Sequence, residues 1–337
     1  MIASLQLLRF VAAALIVSYH SIQEFSGLPP FGEFGVDVFF VISGFIISHI
    51  TQDDREHFFT RRLVRIVPLY WFFTCVIVAI AYGAPHLLRH VKWDVTHIMA
   101  SLLFIPWWTE SLRFSPILPM GWTLNYEIWF YLVFYVAMRI NHSCREVISS
   151  LLIVCAYVMT NLLPLDSTAT LFFYSDSIVL EFILGMALAV LYRTRKAFLD
   201  RVPYGVVLAF AVAVPVAFYC TLWISNLDLP RFVYWGLPAG VCVMVCLCAE
   251  AHFNRSPRWM ISAAVVGGEI SYPLYLIHMF LIAVLGRVVM VSTLNVVEGF
   301  LLALLLSSGA AYIASQYFDK PVRRMLSVAL LKRSSPV

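Results

Sequence analysis

The 337-residue chain is too apolar for a soluble globular domain, because 61% of its residues are hydrophobic and only 12% are charged. Its mean hydropathy is +0.86, and its apolar runs repeatedly reach the roughly 20 residues that span a bilayer. The formal net charge of +4 comes from basic residues in short segments between these runs, which is not the pattern of a nucleic-acid-binding surface. Composition therefore predicts a polytopic membrane protein.

Ten apolar runs predict about ten transmembrane helices in an all-α membrane helix bundle. They lie near residues 5–24, 35–50, 65–84, 121–140, 147–163, 173–192, 204–224, 232–251, 264–288 and 297–318. A further run near 97–108 is short and ends in Pro106, Trp107 and Trp108, so we predict a short re-entrant or interfacial helix there. We expect one membrane domain over residues 1–325 and a cytoplasmic basic tail over residues 326–337.

Basic residues set the predicted orientation. We first assume that the run near 97–108 does not cross the membrane and that the N-terminus is cytoplasmic. Seventeen basic residues then lie on the cytoplasmic side (inside) and four on the outer side (outside), which fits the positive-inside tendency. Those inside are Arg55, Arg61, Arg62, Arg65, Arg139, Arg145, Arg193, Arg195, Lys196, Arg201, Arg255, Arg258, Lys320, Arg323, Arg324, Lys332 and Arg333. Those outside are Arg89, Lys92, Arg113 and Arg231. A crossing would change the count to six against fifteen, so we predict no crossing and two cytoplasmic termini.

Arg9 and His20 lie in the first apolar run, where an ionisable group is costly enough to need a reason. A separation of eleven residues ends roughly 20° past three full helical turns, so both side chains lie on one stripe, about 16 Å apart. The predicted orientation places Arg9 toward the cytoplasm and His20 toward the outside. An imidazole there suits a general base for a hydroxyl; a packing histidine bonded to a carbonyl is the alternative.

The second and third runs carry further charges. Arg61, Arg62 and Arg65 lie at the start of the third run. Arg62 and Arg65 share a helical face, which suits a bidentate clamp on phosphate groups, although an anchor at the headgroup boundary is the alternative. Asp37 lies near the outer end of the second run. It needs a partner, and His20 is one candidate.

The fourth run places an acidic group beneath aromatic side chains. Glu127 lies about one turn inside this helix and faces the same side as Trp122, and Tyr126 precedes it in the chain. The predicted level of Glu127 is close to that of His20. Aromatic side chains such as Trp122 and Tyr126 commonly anchor a helix at the membrane–water interface, but anchoring does not explain a carboxylate below them. We therefore predict a functional role for Glu127.

The ninth run contains a Tyr–His pair. Tyr275 and His278 are three residues apart and share a helical face. Pro273 frees a backbone carbonyl that can line a cavity. Hydrogen bonding between helices is the alternative role for these side chains.

Six segments together resemble the membrane-bound acyltransferase-3 family, and within it the bacterial exopolysaccharide O-acetyltransferases. They are Leu5 to His20 with its Arg-x10-His spacing, Phe34 to Phe45, Arg61 to Trp71, Gly121 to Tyr131, Ile270 to His278, and Phe318-Asp319-Lys320-Pro321. The resemblance covers nearly the whole chain. The chain differs from the family pattern at Asp319, where Glu is more usual. We expect no appended esterase-like soluble domain, so no second acyl-transfer step is assigned to the chain.

The resemblance implies that residues 1–325 form an acyltransferase-3 domain in the bacterial cytoplasmic (inner) membrane. It implies transfer of an acyl group from cytoplasmic acyl-CoA to a hydroxyl of an exopolysaccharide or other surface glycan. The expected acyl group is acetyl, so the expected donor is acetyl-CoA. Acetyl-CoA is then a co-substrate, and no metal is expected. The expected partners are acyl-CoA, a polymeric or lipid-linked glycan and membrane lipids, not nucleic acid. A homodimer and an association with polysaccharide synthesis machinery both stay open.

The expected site combines these residues in named roles. His20 is the general base, supported by Asp37 or Glu127. The CoA phosphates are held by Arg9, Arg61, Arg62 and Arg65, and the acceptor is contacted by Trp122, Tyr126, Tyr275 and His278. A covalent acyl-histidine is the competing route. A transporter or flippase for lipid-linked glycan is the alternative function, and an accessory subunit of a polysaccharide synthase is a third.

Overall fold

The computed structural model describes residues 2–26, 31–52, 57–84, 94–109, 113–223, 229–289 and 295–331. Within them the regular structure is helical apart from one small hairpin. The α-helices are α1 Ala3–Phe25, α2 Gly35–Ile50, α3 Phe58–Gly83, α4 Val95–Leu102, α5 Gly121–Ile140, α6 Arg145–Leu162, α7 Leu180–Leu199, α8 Tyr204–Trp223, α9 Leu237–Phe253, α10 Arg258–Val289, α11 Val296–Ala314 and α12 Lys320–Leu331. Strands β1 Trp108–Thr109 and β2 Arg113–Phe114 pair antiparallel.

The structure confirms the all-α prediction, because each of the ten predicted runs falls largely in a helix. Seven helical segments in the described part of the chain are long and apolar enough to cross a membrane. The largest shifts of a boundary are at α3, which begins at Phe58 and not near residue 65, and at α7, which begins at Leu180 and not near residue 173. The chain is extended at Asp176 after a 3-10 segment, and the Asp176 carboxylate accepts a hydrogen bond from the backbone N–H of Ile178. This local turn delays the helix.

The short helix predicted near residues 97–108 lies earlier in the chain and is only eight residues long, as α4. Phe104 has a left-handed backbone with φ of 58°, and Pro106 follows, so the helix cannot continue. Trp108, predicted as helical, instead begins the hairpin. The Tyr70 hydroxyl donates to the Ser101 carbonyl at 3.1 Å, which ties α4 to α3.

The chain divides into two compact units. The first unit contains Met1–Gln52 and Leu180–Ser315, and the second contains Asp53–Val179 and Gln316–Val337. Residues 332–337 of the predicted basic tail lie outside the described residues, and residues 326–331 belong to α12. Within the second unit, α3 packs against α5 and α12.

Close helix contacts shape the first unit, where α1 packs along α10 and α2 along α7. A Cβ atom added to Gly268 of α10 would lie 2.8 Å from the Cα of Gln6, and one added to Gly44 of α2 would lie 3.0 Å from the Cα of Phe182. Such small residues let backbones approach closely inside a membrane. Glu250 of α9 accepts hydrogen bonds from the first backbone N–H groups of α1, which fixes the start of that helix.

Candidate active site

His20 and His278 lie side by side in the first unit. Their ring centroids are 5.3 Å apart and the ring planes are inclined by 36°. Helices α1 and α10 run in the same direction, because the start of α1 packs against Gly268 while Glu24, near its end, packs against Gly286. This parallel packing brings two histidines from opposite ends of the sequence to one level.

The two imidazoles differ in their surroundings. His278 is fully buried, and its Nδ1 lies 3.2 Å from the carbonyl oxygen of Leu274. Because a carbonyl can only accept, Nδ1 carries the proton and Nε2 is an acceptor; Nε2 has no hydrogen-bond partner in the described part of the chain. The Tyr275 ring lies 6.0 Å away. His20 is half-buried and hydrogen-bonds the side chain of Gln23.

Arg9 lies on the same helix as His20 and is only 7% exposed. Its Nη1 donates to the Gln6 side-chain oxygen at 3.1 Å. An arginine that faced lipid would have an exposed side chain. The burial of Arg9 therefore agrees with a helical face, shared with His20, that is turned toward the protein interior.

Asp37 is held by Arg231, not by His20. Its two carboxylate oxygens accept from Nε and Nη2 of Arg231, both at 2.9 Å, and Arg231 Nη1 donates to Glu33 at 2.8 Å. Burial alone would lower the pKa of Arg231, but the carboxylates of Asp37 and Glu33 raise it above its ordinary value. Glu33 also lies within electrostatic range of His20. Glu33 is therefore a further carboxylate available to support the imidazole.

Sequence analysis missed Glu33, Glu181 and the role of Arg231. Glu181 of α7 is fully buried and lies within electrostatic range of the Asp37 side chain. Its signal was present in the sequence, since it is a carboxylate inside the apolar run near 173–192, the same kind of signal that singled out Glu127. Arg231 follows Pro230 directly before a predicted span and had been counted only as a loop charge.

Glu127 belongs to a polar cluster in the second unit. The Tyr131 hydroxyl donates to Glu127 one turn away on α5, and it accepts from Arg62 of α3. Arg65 lies within electrostatic range of both Arg62 and Tyr131. Sequence analysis placed Glu127 and the arginines at opposite membrane levels. In the structure, the long side chain of Arg62 reaches the Tyr131 hydroxyl, and Tyr131 connects it to Glu127. Arg61 is exposed.

The two expected aromatic contacts on α5 differ in accessibility. Tyr126 is buried, its ring stacks on Phe173 with centroids 4.0 Å apart, and its hydroxyl donates to the Phe173 carbonyl at 2.6 Å. Trp122 is half-buried and meets the edge of the Tyr126 ring. Of the two, Trp122 keeps more open surface. Among the described residues, no three His, Cys, Asp or Glu side chains meet as a metal site.

The chain is similar to several known proteins. A family model described as an acyltransferase domain matches residues 2–318. The chain belongs to the acyltransferase-3 family. The exopolysaccharide production protein ExoZ of Rhizobium meliloti is 31% identical over 274 residues, which cover 80% of this chain and 82% of ExoZ. The O-acetyltransferase OatA of Staphylococcus aureus is 24% identical over 347 residues, which cover 94% of this chain but 56% of OatA. No solved structure matches the chain.

Membership of the acyltransferase-3 family confirms the resemblance inferred from the six segments and identifies the chain as a multi-pass membrane acyltransferase. The match includes Arg9, His20, Glu127 and His278. It ends at Phe318, just before the charged residues that open α12.

Proposed function

We propose that this acyltransferase moves an acyl group, first of all acetyl, from cytoplasmic acyl-CoA to a hydroxyl of an exopolysaccharide or other surface glycan at the bacterial inner membrane. The observation that carries the proposal is the pair of His20 and His278, a half-buried imidazole beside a fully buried one. The relatives support both halves of the reaction, since OatA is named an O-acetyltransferase and ExoZ an exopolysaccharide production protein.

In this proposal His20 is the general base. It takes the proton of the sugar hydroxyl while the hydroxyl oxygen forms a bond to the acyl carbon and the carbon–sulfur bond breaks. The proton then passes to the departing thiolate, which leaves an ester on the glycan and a free CoA thiol. Glu33 stabilises the imidazolium that forms on His20. Asp37 positions Glu33 indirectly, because it holds Arg231 and Arg231 also binds Glu33.

The remaining site residues bind the two substrates. The guanidinium groups of Arg62 and Arg65 suit bidentate contacts with the CoA phosphates, aided by Arg9 and Arg61. Glu127 orients Arg62 through Tyr131. For the acceptor sugar, the proposed contact residues of the first unit are Tyr275 and His278, and those of the second unit are Trp122 and Tyr126.

The first test uses purified protein in lipid nanodiscs with radiolabelled acetyl-CoA and surface glycan from the host. We expect His20→Ala to lower transfer by about 100-fold or more while CoA still binds, because general base catalysis contributes about 10² to 10⁴ in rate. His142→Ala is the matched control, because this histidine lies in a turn before α6. Near-normal transfer by His20→Ala would disprove the assignment, and a wild-type protein that neither cleaves the thioester nor acetylates glycan would favour the flippase alternative.

A covalent acyl-histidine would divide the same reaction into two steps. Rapid quenching of the wild-type protein with labelled acetyl-CoA, in the absence of acceptor, separates the two routes. We expect no label on the protein. Label on wild type that His20→Ala lacks would establish the acyl-enzyme route and replace the direct transfer proposed here.

A further inference from the structure

Charged residues at the start of α12 lie beyond the residues matched by the family model, which ends at Phe318. Phe318 packs on Phe72 of α3 with ring centroids 4.5 Å apart, so α12 begins against α3 within the second unit. We name the charged residues at this junction the α3–α12 cluster; they are Arg62, Arg65, Asp319, Lys320 and Arg323.

Asp319 forms the centre of the α3–α12 cluster. Its side chain is only 4% exposed, and its Oδ2 accepts from Arg323 Nη2 at 2.8 Å. Arg65 and Lys320 also lie within electrostatic range of the carboxylate. The second carboxylate oxygen, Oδ1, is buried without a hydrogen-bond partner in the described part of the chain. One acceptor at this junction therefore stays open.

Two donors stay open at the same junction. The Nε–H groups of Arg323 and Arg62 are buried, and neither has a hydrogen-bond partner among the described residues. Unsatisfied buried donors on charged groups are costly. A ligand that accepts hydrogen bonds would remove that cost.

The charges of the cluster also do not balance. Its described members and the linked Glu127 carry four cations against two carboxylates; the cations are Arg62, Arg65, Lys320 and Arg323, and the carboxylates are Glu127 and Asp319. A positive excess in a partly buried place is unfavourable without a counter-charge. A ligand with two negative charges would neutralise it.

We propose that the α3–α12 cluster binds the phosphates of a nucleoside phosphate, the head group of the acyl-CoA donor, and that Arg323 is one of the binding residues. Phosphate oxygens accept from the open arginine donors, and a ribose hydroxyl or adenine amino group donates to Asp319 Oδ1. A bare phosphate satisfies only the donors. The inference rests on the proposed function for the identity of the donor.

Asp319 acts in this proposal as a positioning residue. It holds the Arg323 guanidinium through one nitrogen and leaves Nε–H to the ligand. The Asp319→Asn variant is therefore expected to reduce the preference for a nucleoside phosphate over inorganic pyrophosphate, since a neutral amide holds Arg323 less firmly.

Calorimetric titration of the purified protein in phosphatidylcholine nanodiscs tests the proposal, with adenosine 3′,5′-bisphosphate as the probe. We expect Arg323→Gln to weaken binding about tenfold, which corresponds to about 1.4 kcal/mol, because the variant loses a charge-assisted hydrogen bond to the ligand. Arg323→Lys should bind at an intermediate level. Arg324→Gln is the matched control, because Arg324 is the exposed neighbour of Arg323 on the same helix. This substitution removes one positive charge, as Arg323→Gln does. It should change affinity by less than about twofold.

Several outcomes would overturn the subsite. They are equal weakening by Arg323→Gln and Arg324→Gln, no binding of the bisphosphate to wild type, and wild-type affinity for pyrophosphate as high as for the bisphosphate. Adding phosphatidylglycerol to the nanodiscs tests for a lipid-headgroup site. The subsite is also overturned if this lipid raises the melting temperature of wild type but not of Arg323→Gln, while both proteins bind the bisphosphate with the same affinity.

Failure of the subsite and failure of the proposed function are separable. If Arg323→Gln transfers acetyl groups with an unchanged KM for acetyl-CoA, the subsite is wrong and the acyltransferase function stands. If wild type binds the bisphosphate through Arg323 but acetylates no glycan, the subsite stands and the glycan function is wrong.

Discussion

Asp37 and Arg231 form a two-bond ion pair in which the carboxylate has no exposed surface. Removing Arg231 leaves the Asp37 carboxylate fully buried without its cation, which costs about 3–5 kcal/mol. We expect Arg231→Leu to lower the free energy of unfolding by roughly that amount, measured as a lower melting temperature in detergent.

The double variant Asp37→Ala/Arg231→Leu is the control for this pair. It removes both charges of the pair, so it should be more stable than Arg231→Leu alone. Equal stabilities of the single and double variants would contradict a stabilising role for the pair.

Individual side chains also show how far local pattern can predict a site. Helical periodicity is local, so the shared stripe of Arg9 and His20 followed from their spacing alone. The partners of Asp37 and His20 did not follow, because Arg231 and His278 lie more than 190 residues away in sequence. Only the packing of α1 against α10, and of α2 against the chain before α9, brings these groups together.

The pairing of α1 with α10 depends on glycine at the contact. A Cβ atom at Gly268 would lie 2.6 Å from Cβ and 2.8 Å from Cα of Gln6, and backbone atoms cannot move aside cheaply. We expect Gly268→Ala to push the helices apart, at a cost of about 1–3 kcal/mol. Because His20 and His278 lie further along these same helices, acyl transfer should fall about tenfold or more.

Gly309→Ala is the matched control for this contact, since nothing lies within 4 Å of the added atom. Alanine also favours a helix by up to about 1 kcal/mol over glycine, so this variant should keep full activity and melt no lower than wild type. A Gly268→Ala protein with normal activity would show that the spacing of α1 and α10 does not matter for the reaction.

Helices were predicted more accurately than the segments that join them. Apolar runs place α1, α2 and α5 almost to the residue, because burial and length leave little choice inside a membrane. The segment after α4 differs, since a left-handed Phe104 and a hairpin at Trp108 replace the expected helix. Turn geometry depends on single backbone conformations that hydrophobic periodicity does not encode.

The orientation of the whole chain depends on whether α4 crosses the membrane. An eight-residue helix rises about 12 Å, which is well below the roughly 30 Å of a hydrocarbon core. This length supports the arrangement that places most basic residues and both termini on the cytoplasmic side. It also puts the segment between α6 and α7 outside, and the turns after α7 and α9 inside.

Single cysteines in a variant without the seven native cysteines test this orientation in intact cells. We expect a membrane-impermeant maleimide to label Ser167→Cys directly, and to label Arg195→Cys and Arg255→Cys only after permeabilisation, since all three positions are exposed in the structure. Direct labelling of Arg195→Cys, with Ser167→Cys labelled only after permeabilisation, would place α7 in the opposite direction. This result would show one more crossing before α7 and would reject the orientation predicted for the segments after α4.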